Sequence, residues 1–596
     1  MSIAWNIREK SLYILATNAV VKYFHKLRKC LDKLPQPIVF DITYQSYLRI
    51  SNVNMRTDFR LKIDLLNKLT DFPTFVKFLK VGDKRSGLHK MLQAAVEVPG
   101  PVKWSKLAPD TLAKAFCRNQ EEHLAELTST GHEVKLSDIS KGLMLGLNLG
   151  EFLCEAGWYT AASEVHRACV NIIRSVRASE SGLMLVKLDC LTSLLLTLTN
   201  DCQPFSEAEN IHTELISYIR DEELTTSTCP NLAYSCSVLS KYHSMNYNFD
   251  LASTWAMESV KLLTPILPPK LTLDVLRQAS IVCVRKREFA KAEILVKQAL
   301  GISKTVFGDT HVKYADSLID YGFYLLNVDR LTASVEVYQK ALKVRETIFG
   351  GDNLKVAWVC RALAGAEFSC RAFSDARRHA EKSLSIMERH LPANHLYVAF
   401  SKRVLALVLL EVAISPKDEI LLKESEELHK FVFNIIRHNF GEYNLQTALC
   451  YANLGRFYKR THKFEESEKI YLRAIEILEE IHGTEDSQVA NCLYGLAIVY
   501  FCMNQHLKAE KLFLRSIDIF QNVCGPTYSR LEYSYMGLIQ VYQKLPDHNK
   551  FQEYRSILVE WRILRDEAEQ SDEVSEDGHK LPLSELIKAV TATSKE

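Results

Sequence analysis

The sequence predicts an all-α chain in which about ten helical hairpins stack into a superhelical solenoid. Two periodic features support this prediction, a glycine at the turn between units and a small residue inside the second helix of each unit. The glycines are separated by 42, 91, 42 and 42 residues, where 91 is 42 plus 49, and they are Gly308, Gly350, Gly441, Gly483 and Gly525. A fixed period of this size is typical of repeat arrays, which present long concave surfaces to partners.

Length and composition agree with an extended array. The 596 residues are 47% hydrophobic, and a single globular core stops growing at roughly 250–300 residues, so the chain needs several domains or one long stack. The net charge of +2 gives no reason to expect nucleic acid as a partner. None of the 15 cysteines forms a C-x-x-C pair, which favours buried free thiols in a reducing, intracellular compartment. We therefore expect no metal and no cofactor.

The small residues of the second helices give the clearest alignment of the units. They recur at intervals of 40 to 49 residues, mostly 42, at Ala162, Ala208, Ala252, Ala292, Ser334, Ala376, Ser425, Ser467, Ala509 and Phe551. Small residues, including Gly322 and Gly455 in the first helices, let two antiparallel helices approach closely. Large ones such as Tyr338 and Tyr471 then fill the space between hairpins. The pattern resembles the tetratricopeptide repeat, in the 42-residue form of kinesin light chains.

The first 45 residues do not follow the repeat and contain two short apolar patterns. Ser11, Leu12, Ala16 and Val20 form the first, and Leu34, Pro35, Ile38 and Ile42 form the second, each with apolar residues at helical spacing. The pair resembles an elongin C-binding box followed by a cullin-2 box, with Ala16 where the first box usually has cysteine. An ordinary capping helix explains the same residues. The resemblance implies that the first set binds elongin C, together with elongin B, and that the second binds cullin-2 with its RING subunit.

A wider resemblance covers about residues 8 to 565. The segments that carry it are Glu155–Tyr159, Asp274–Ser280, Lys286–Phe289, Asp320–Asp329 and Asn453–Arg456. They are similar to the amyloid-protein-binding protein 2 family. That resemblance implies a substrate receptor of a cullin-2 RING ubiquitin ligase that recognises C-terminal degrons of the Arg-x-x-Gly type. It also implies links to microtubules and to transport of the amyloid precursor protein.

Polar residues on the first helices mark the expected peptide groove. They are Asp274, Arg277, Gln278, Asp316, Asp320, Asn327, Arg361, Asn453, Arg456, Arg460 and Asn491. Asp316 and Asp320 are four residues apart, so we expect them to hold a degron arginine together. Arg277, Arg361 or Arg456 would take the terminal carboxylate, and Asn327 and Asn453 would bond the peptide backbone. A solvated helix face is the alternative interpretation of each residue.

Catalysis is not expected. The sequence contains no Gly-rich phosphate loop, no G-x-S-x-G, no H-E-x-x-H and no Cys/His cluster with metal-ligand spacing. His311 and His395 stand beside the inter-repeat turns, where we interpret them as turn and cap residues. Any ubiquitin transfer would belong to the bound subunits.

These observations divide the chain into four parts. Residues 1–45 are the elongin C and cullin-2 module, 46–144 a helical region, 145–565 the repeat array, and 566–596 an acidic, mostly disordered tail in which Leu581–Val590 could form a helix. The resemblance implies a cytoplasmic and nuclear protein with cytoskeletal or membrane association. The competing hypothesis is a kinesin-light-chain-like transport adaptor without a ligase role. A homodimer through the ends of the array stays open.

Overall fold

A computed structural model describes most of the repeat array and parts of the N-terminal region. The described residues are 39–44, 72–79, 85–96, 104–129, 134–176, 182–202, 205–221, 225, 229–413, 418–571 and 581–591. Every regular element among them is a helix, as the fold prediction requires. Of the two N-terminal boxes, only Ile42 lies within the described residues, in a short helical segment at 39–44.

Among the described residues, three helices between 72 and 129 precede the array and pack on it. They are α1 (Phe72–Leu79), α2 (Arg85–Val96) and α3 (Trp104–Ser129). Their apolar residues join one core with the first hairpins, in which Phe75 and Phe116 are fully buried. The rings of Phe75 and Phe152 meet edge to face at 5.5 Å. This part of the region predicted as 46–144 therefore caps the stack and shields the apolar face of its first unit.

Ten hairpins follow, so the predicted number is confirmed. The first five are α4 (Leu136–Glu155) with α5 (Tyr159–Arg174), α6 (Leu183–Asp201) with α7 (Phe205–Asp221), α8 (Leu232–Met245) with α9 (Phe249–Lys261), α10 (Pro269–Arg285) with α11 (Phe289–Phe307), and α12 (Val312–Asn327) with α13 (Leu331–Phe349). The second five are α14 (Leu354–Ser369) with α15 (Phe373–His390), α16 (Leu396–Val412) with α17 (Glu419–Phe440), α18 (Leu445–Arg460) with α19 (Phe464–His482), α20 (Ser487–Cys502) with α21 (His506–Cys524), and α22 (Arg530–Lys544) with α23 (His548–Ser571).

The small residues do what their spacing predicts. Every one from Ala162 to Ala509 is at most 4% exposed, and only Phe551 of the last unit is half-buried. Where the small residue is serine, its hydroxyl also donates to the carbonyl of the partner helix, as from Ser334 to Gly322 at 2.8 Å and from Ser467 to Gly455 at 2.7 Å. Close approach and a satisfied hydroxyl therefore come from the same residue.

Two kinds of turn alternate along the array. The predicted glycines end the second helices with φ between 72° and 91°, a conformation that glycine adopts without strain, whereas Leu391 ends its helix in extended backbone. Within hairpins, the tight turn uses non-glycine residues at positive φ, such as Arg287, Asp329 and Arg371. His311 and His395 cap the helices that follow them, each accepting a backbone N–H at 3.1 Å, so their interpretation as cap residues is confirmed.

The solenoid makes two turns of five hairpins each, and the second turn rests on the first. Each tight turn in the first five hairpins contacts the start of the unit five hairpins later. The Asn353 amide donates to the carbonyl of Ala156 at 3.0 Å, and the backbone N–H of Ser529 donates to the Asp329 carboxylate at 2.6 Å. The other three seam contacts are His395 with the carbonyl of Asp201, the rings of Tyr247 and Phe440, and Arg287 with Ser487.

The seam gives the array an enclosed inner face. Successive first helices contact one another, as α8 does α10 and α10 does α12, so these helices line the inside and the second helices face outward. From the stacking of one turn on the other, we infer that the concave surface forms a channel rather than an open groove. We call it the channel below.

The C-terminal boundary differs from the prediction. Helix α23 continues to Ser571, so residues 566–571 belong to the last hairpin instead of the tail. A short helix, α24 (Leu583–Thr591), then packs across α9 and α11 on the outer face, where Leu586 and Val590 are fully buried. The Gln298 amide bonds the backbone of Leu581 in both directions, at 3.0 and 3.1 Å. The apolar stretch therefore docks on its own array.

One described helix, α6, is long and apolar enough to cross a membrane. Most of it is buried among α5, α7 and α8, as expected for a core helix of the array.

The tyrosine packing between hairpins can be tested at Gly495. A Cβ there would lie 2.6 Å from Cζ of Tyr471, whose ring is 4% exposed and has no room to move. Overpacking of this kind costs about 1–3 kcal/mol, so Gly495→Ala should lower the thermal midpoint. Gly365 is the matched control, since a Cβ there meets nothing within 4 Å. Gly365→Ala should stabilise by about 0.5–1 kcal/mol through helix propensity. Equal effects at both sites would contradict this packing.

The seam can be tested at Asp329. Its carboxylate accepts from Ser529 and from Arg565 Nη1 at 2.5 Å, and all three groups are largely buried. Asp329→Asn keeps a residue suited to positive φ but removes the charge, and an unpaired buried cation costs about 1–3 kcal/mol. We expect a lower thermal midpoint and faster proteolysis near Arg565. The control is His462→Asn, at the equivalent tight turn between α18 and α19 in the second superhelical turn, which should change neither the thermal midpoint nor the proteolysis. An equal loss of stability in both variants would contradict a role of Asp329 in the seam.

Candidate functional site

Charged residues repeat along the channel with the period of the array. Asp274 and Asp316 are 42 residues apart, as are Lys313 and Lys355, and Arg361 and Arg403. Each pair therefore occupies the same place on neighbouring first helices, and the side chains form a ladder along the inner wall. A ladder of both signs can orient a polar chain that enters the channel.

The two aspartates of the ladder belong to a compact ion-pair network around Arg277. Its Nε donates to Asp320 Oδ2 at 2.6 Å, and its Nη1 lies 3.3 Å from Asp274 Oδ1 and 3.5 Å from Asp316 Oδ2. From the second helix of the next hairpin, Arg345 donates to Asp316 Oδ1 at 2.5 Å. We call these five residues the acidic cluster, because three carboxylates surround two guanidinium groups.

Burial sets the charge states in this cluster. Burial raises the pKa of Asp320 to about 6 despite the neighbouring Arg277. Burial would also raise the pKa of Asp316, but Arg345 and Arg277 overcome it and hold that pKa below its ordinary value. Lys355, further along the wall, has its pKa lowered to about 8 by burial, with Asp316 opposing the shift. The enclosed channel therefore strengthens each charge interaction that takes place inside it.

The expectation that Asp316 and Asp320 are free for an incoming arginine needs correction. The two lie side by side as predicted, but Arg277 and Arg345 already hold them in this structure. Arg277 is likewise engaged by three aspartates and is not free for a carboxylate. The spacing on one helix predicted the carboxylate pair and gave no information on cations that reach it from other helices. Their assignment to degron binding stays a prediction.

The other predicted residues are distributed along the same wall. Asn327 donates to the carbonyl of Phe323 in its own helix, and Gln278 is 8% exposed beside the hydroxyl of Ser240. Arg456 lies 3.7 Å from Glu411. Asn453 is half-buried on α18, Asn491 faces Gln488, and Arg460 donates to the carbonyl of Ala413. Asn327 and Arg460 thus bond their surroundings, and Asn453 and Arg456 keep more capacity for a ligand.

Arg361 and Arg403 lie at one aromatic ring, and Arg285 lies at another. The guanidinium of Arg361 lies 5.7 Å from the Phe400 ring, and that of Arg403 lies 5.2 Å from the same ring. Arg285, at the end of α10, lies over Phe323 at 4.7 Å. We call Arg285, Arg361 and Arg403 the arginine triad.

Arg285 and Arg403 are not among the residues predicted from the sequence. Arg403 could have been found, because it stands one 42-residue period after Arg361. Arg285 could have been found in the same way, because it stands one 42-residue period before Asn327. Lys241, Arg345 and Lys355 were missed as well, and all three act electrostatically on the acidic cluster.

The predicted cullin-binding residue Ile42 is 2% exposed, so its side chain packs inside the protein. Ser11, Leu12, Ala16, Val20, Leu34, Pro35 and Ile38 lie outside the described residues. Within the described ranges, no group of three or more His, Cys, Asp or Glu side chains is arranged to hold a metal ion. The cysteines found there are free thiols, most of them buried.

The repeat and the relatives of this chain agree with the fold. The tetratricopeptide repeat family matches residues 356–397 and 451–522. A Rap protein complexed with competence and sporulation factor has a similar solenoid, with a TM-score of 0.50 and 13% identity over 64% of this chain and 99% of that one. This likeness concerns the fold alone.

Two curated relatives are much more similar in sequence. Amyloid protein-binding protein 2 of Rattus norvegicus and that of Mus musculus are each 36% identical to this chain over 463 residues, which cover 76% of this chain and 74% of the relative. The similarity thus extends over about three quarters of the chain. The chain belongs to the amyloid protein-binding protein 2 family.

Proposed function

We propose that this chain is a non-catalytic adaptor that binds the C-terminal tails of client proteins in its channel and presents them to a cullin-2 RING ubiquitin ligase. The observation that carries the first part is the channel itself, where a periodic ladder of charged side chains is enclosed by two stacked turns. Such a surface suits an extended chain with charges of both signs, and a chain end can enter it without a loop having to fold back.

The chemistry of the wall supports a tail with a basic residue near its end, as in the Arg-x-x-Gly type. The three carboxylates of the acidic cluster are held by Arg277, by Arg345 and by Lys313, whose Nζ lies 2.6 Å from Asp274 Oδ2. An arginine from a client would have to share or displace Arg277, since a planar guanidinium fits the same pair of carboxylates. Asn453 and Arg456 would contact the client further along the channel.

The second part of the proposal rests on the N-terminal residues. Ser11, Leu12, Ala16 and Val20 would bind elongin C with elongin B, and Leu34, Pro35 and Ile38, on the segment that contains Ile42, would bind cullin-2 with its RING subunit. Burial of Ile42 suggests that its contribution is to hold the segment in place rather than to touch the partner. A ligase of this kind would act in the cytoplasm and the nucleus.

The name of the relatives states that they bind amyloid protein. We propose by analogy that membrane-protein tails are among the clients, which would place part of the pool at membranes or microtubules. A transport adaptor would use the same channel but would not need the N-terminal boxes. Leu12 therefore separates the two functions.

Capture of partners from cell extract tests the ligase part. The tagged full chain should retain elongin C and cullin-2, and Leu12→Asp should lose both, because a charge cannot enter an apolar pocket without a large desolvation cost. Ile420→Asp is the matched control, since Ile420 is 83% exposed on the array and should leave capture unchanged. If the unaltered chain retains neither partner, the ligase role is wrong and the transport adaptor takes its place.

A further inference from the structure

We propose that the outer face between α9 and α11 is a docking site for a short amphipathic helix of a partner protein, and that α24 occupies this site in cis as an exchangeable competitor. We call the site the outer groove. It lies on second helices, outside the channel, so this inference does not rest on the binding of client tails. Because α24 contacts both α9 and α11, it shows which chemistry fits between them.

The apolar residues of α24 recur with the period of a helix. Leu586 and Val590 are fully buried, and Leu583, Ile587 and Thr591 are half-buried on the same side. The other side of the helix is exposed and carries Ser584, Glu585, Lys588 and Ala589. Anchors at i, i+3, i+4 and i+7 are typical of amphipathic helices that bind in apolar grooves.

Gln298 of α11 binds the main chain just before this helix. Its side-chain amide donates to the carbonyl of Leu581 at 3.1 Å and accepts the backbone N–H of the same residue at 3.0 Å. Any residue except proline can form both bonds. The backbone N–H groups of Glu585 and Leu586 then donate to the carbonyl of Pro582 and begin the helix. The outer groove therefore recognises a backbone and an apolar pattern, which a partner helix can also supply.

The outer groove departs from the repeat at two positions of α11. Gln298 and Gly301 stand one 42-residue period before Lys340 and Lys343 of α13. The two lysines are exposed, whereas Gln298 and Gly301 are buried. Residues three apart on a helix lie on one face, so α11 has a neutral amide and a glycine where its neighbour presents two long cations. The sequence of this unit is thus suited to a helix lying across it.

The occupant is held weakly enough to exchange. Isolated helices shorter than about 12–15 residues are marginal in water, so the 9 residues of α24 become helical by docking. Residues 572–580 connect Ser571 with Leu581, and a short tether supplies an effective concentration on the order of millimolar. The cis contact is therefore favoured by its tether, and a partner helix with the same apolar pattern competes with it directly.

Fluorescence anisotropy with the full chain tests the exchange. The probe is a labelled, C-terminally amidated peptide of residues 579–593, added in trans. The unaltered chain should bind it weakly, because α24 competes for the outer groove. The double variant Leu586→Asp with Val590→Asp cannot dock its own helix, since a charge in an apolar site is costly to desolvate. It should bind the peptide at least about tenfold more tightly than the unaltered chain, as expected when a tethered competitor is removed.

Variants of the outer groove locate the bound peptide. In the double variant, the further change Gln298→Lys should weaken peptide binding about tenfold, because both bonds to the main chain of the peptide are lost. Lys340→Gln, at the equivalent exposed position of α13, is the matched control and should leave binding unchanged. Equal affinity in the Gln298→Lys and Lys340→Gln variants would show that the peptide binds elsewhere and would overturn the assignment.

Two further outcomes would contradict the proposal. If the double variant binds the peptide no more tightly than the unaltered chain, or loses the circular dichroism of a helical array, α24 is a fixed part of the fold. A second peptide keeps the apolar residues and replaces the exposed ones with other helix-forming residues, and it should bind like the first. If it does not bind, the outer groove fits this tail alone and takes no partner helix. Each of these results leaves the proposed binding of client tails in the channel unaffected.

Discussion

The stacking of the second superhelical turn on the first is the constraint on which the rest of the structure depends. It follows from the 42-residue unit, because five such hairpins complete a turn and bring each tight turn under the start of a unit about 200 residues later. Asp329 shows how specific the seam is, with a positive φ that turns the chain and a carboxylate that holds Ser529 and Arg565. Without the seam the first helices would line an open groove, and their charges would be screened by water.

Enclosure changes what those charges do. Ion pairs at an exposed surface contribute little, whereas the removal of one partner of a buried pair is strongly destabilising, because it leaves the other charge buried without compensation. The acidic cluster compensates its buried charges internally through Arg277 and Arg345. A buried Nε without a hydrogen-bond partner occurs in both groups, on Arg345 of the acidic cluster and on Arg361 of the arginine triad.

The sequence predicted the parts of the fold that repeat and missed those that join distant units. The period of Gly308 and Gly350, and the small residues Ala292 and Ser467, encode local packing within a hairpin, so they could be read from spacing alone. The seam could not, since Asp329 and Ser529 carry no pattern that pairs them. At the site, the i, i+4 spacing placed Asp316 beside Asp320. Arg345, however, reaches Asp316 from a second helix, whereas the predicted groove residues were taken from first helices alone. The helix predicted within Leu581–Val590 is present, but its docking site could not be predicted, because the partners of Leu586 and Val590 lie on α9 and α11, about 300 residues earlier.

Hydrogen exchange of the full chain, with and without a saturating peptide that ends in Arg-x-x-Gly, is the most direct test of a closed channel that binds chain ends. The account predicts added protection in α10, α12, α14 and α16, whose inner faces carry the acidic cluster and the arginine triad, and none on the outer helices α11 and α15. Protection confined to outer helices or to the docking groove of α24 would contradict it, because the peptide would then bind outside the channel.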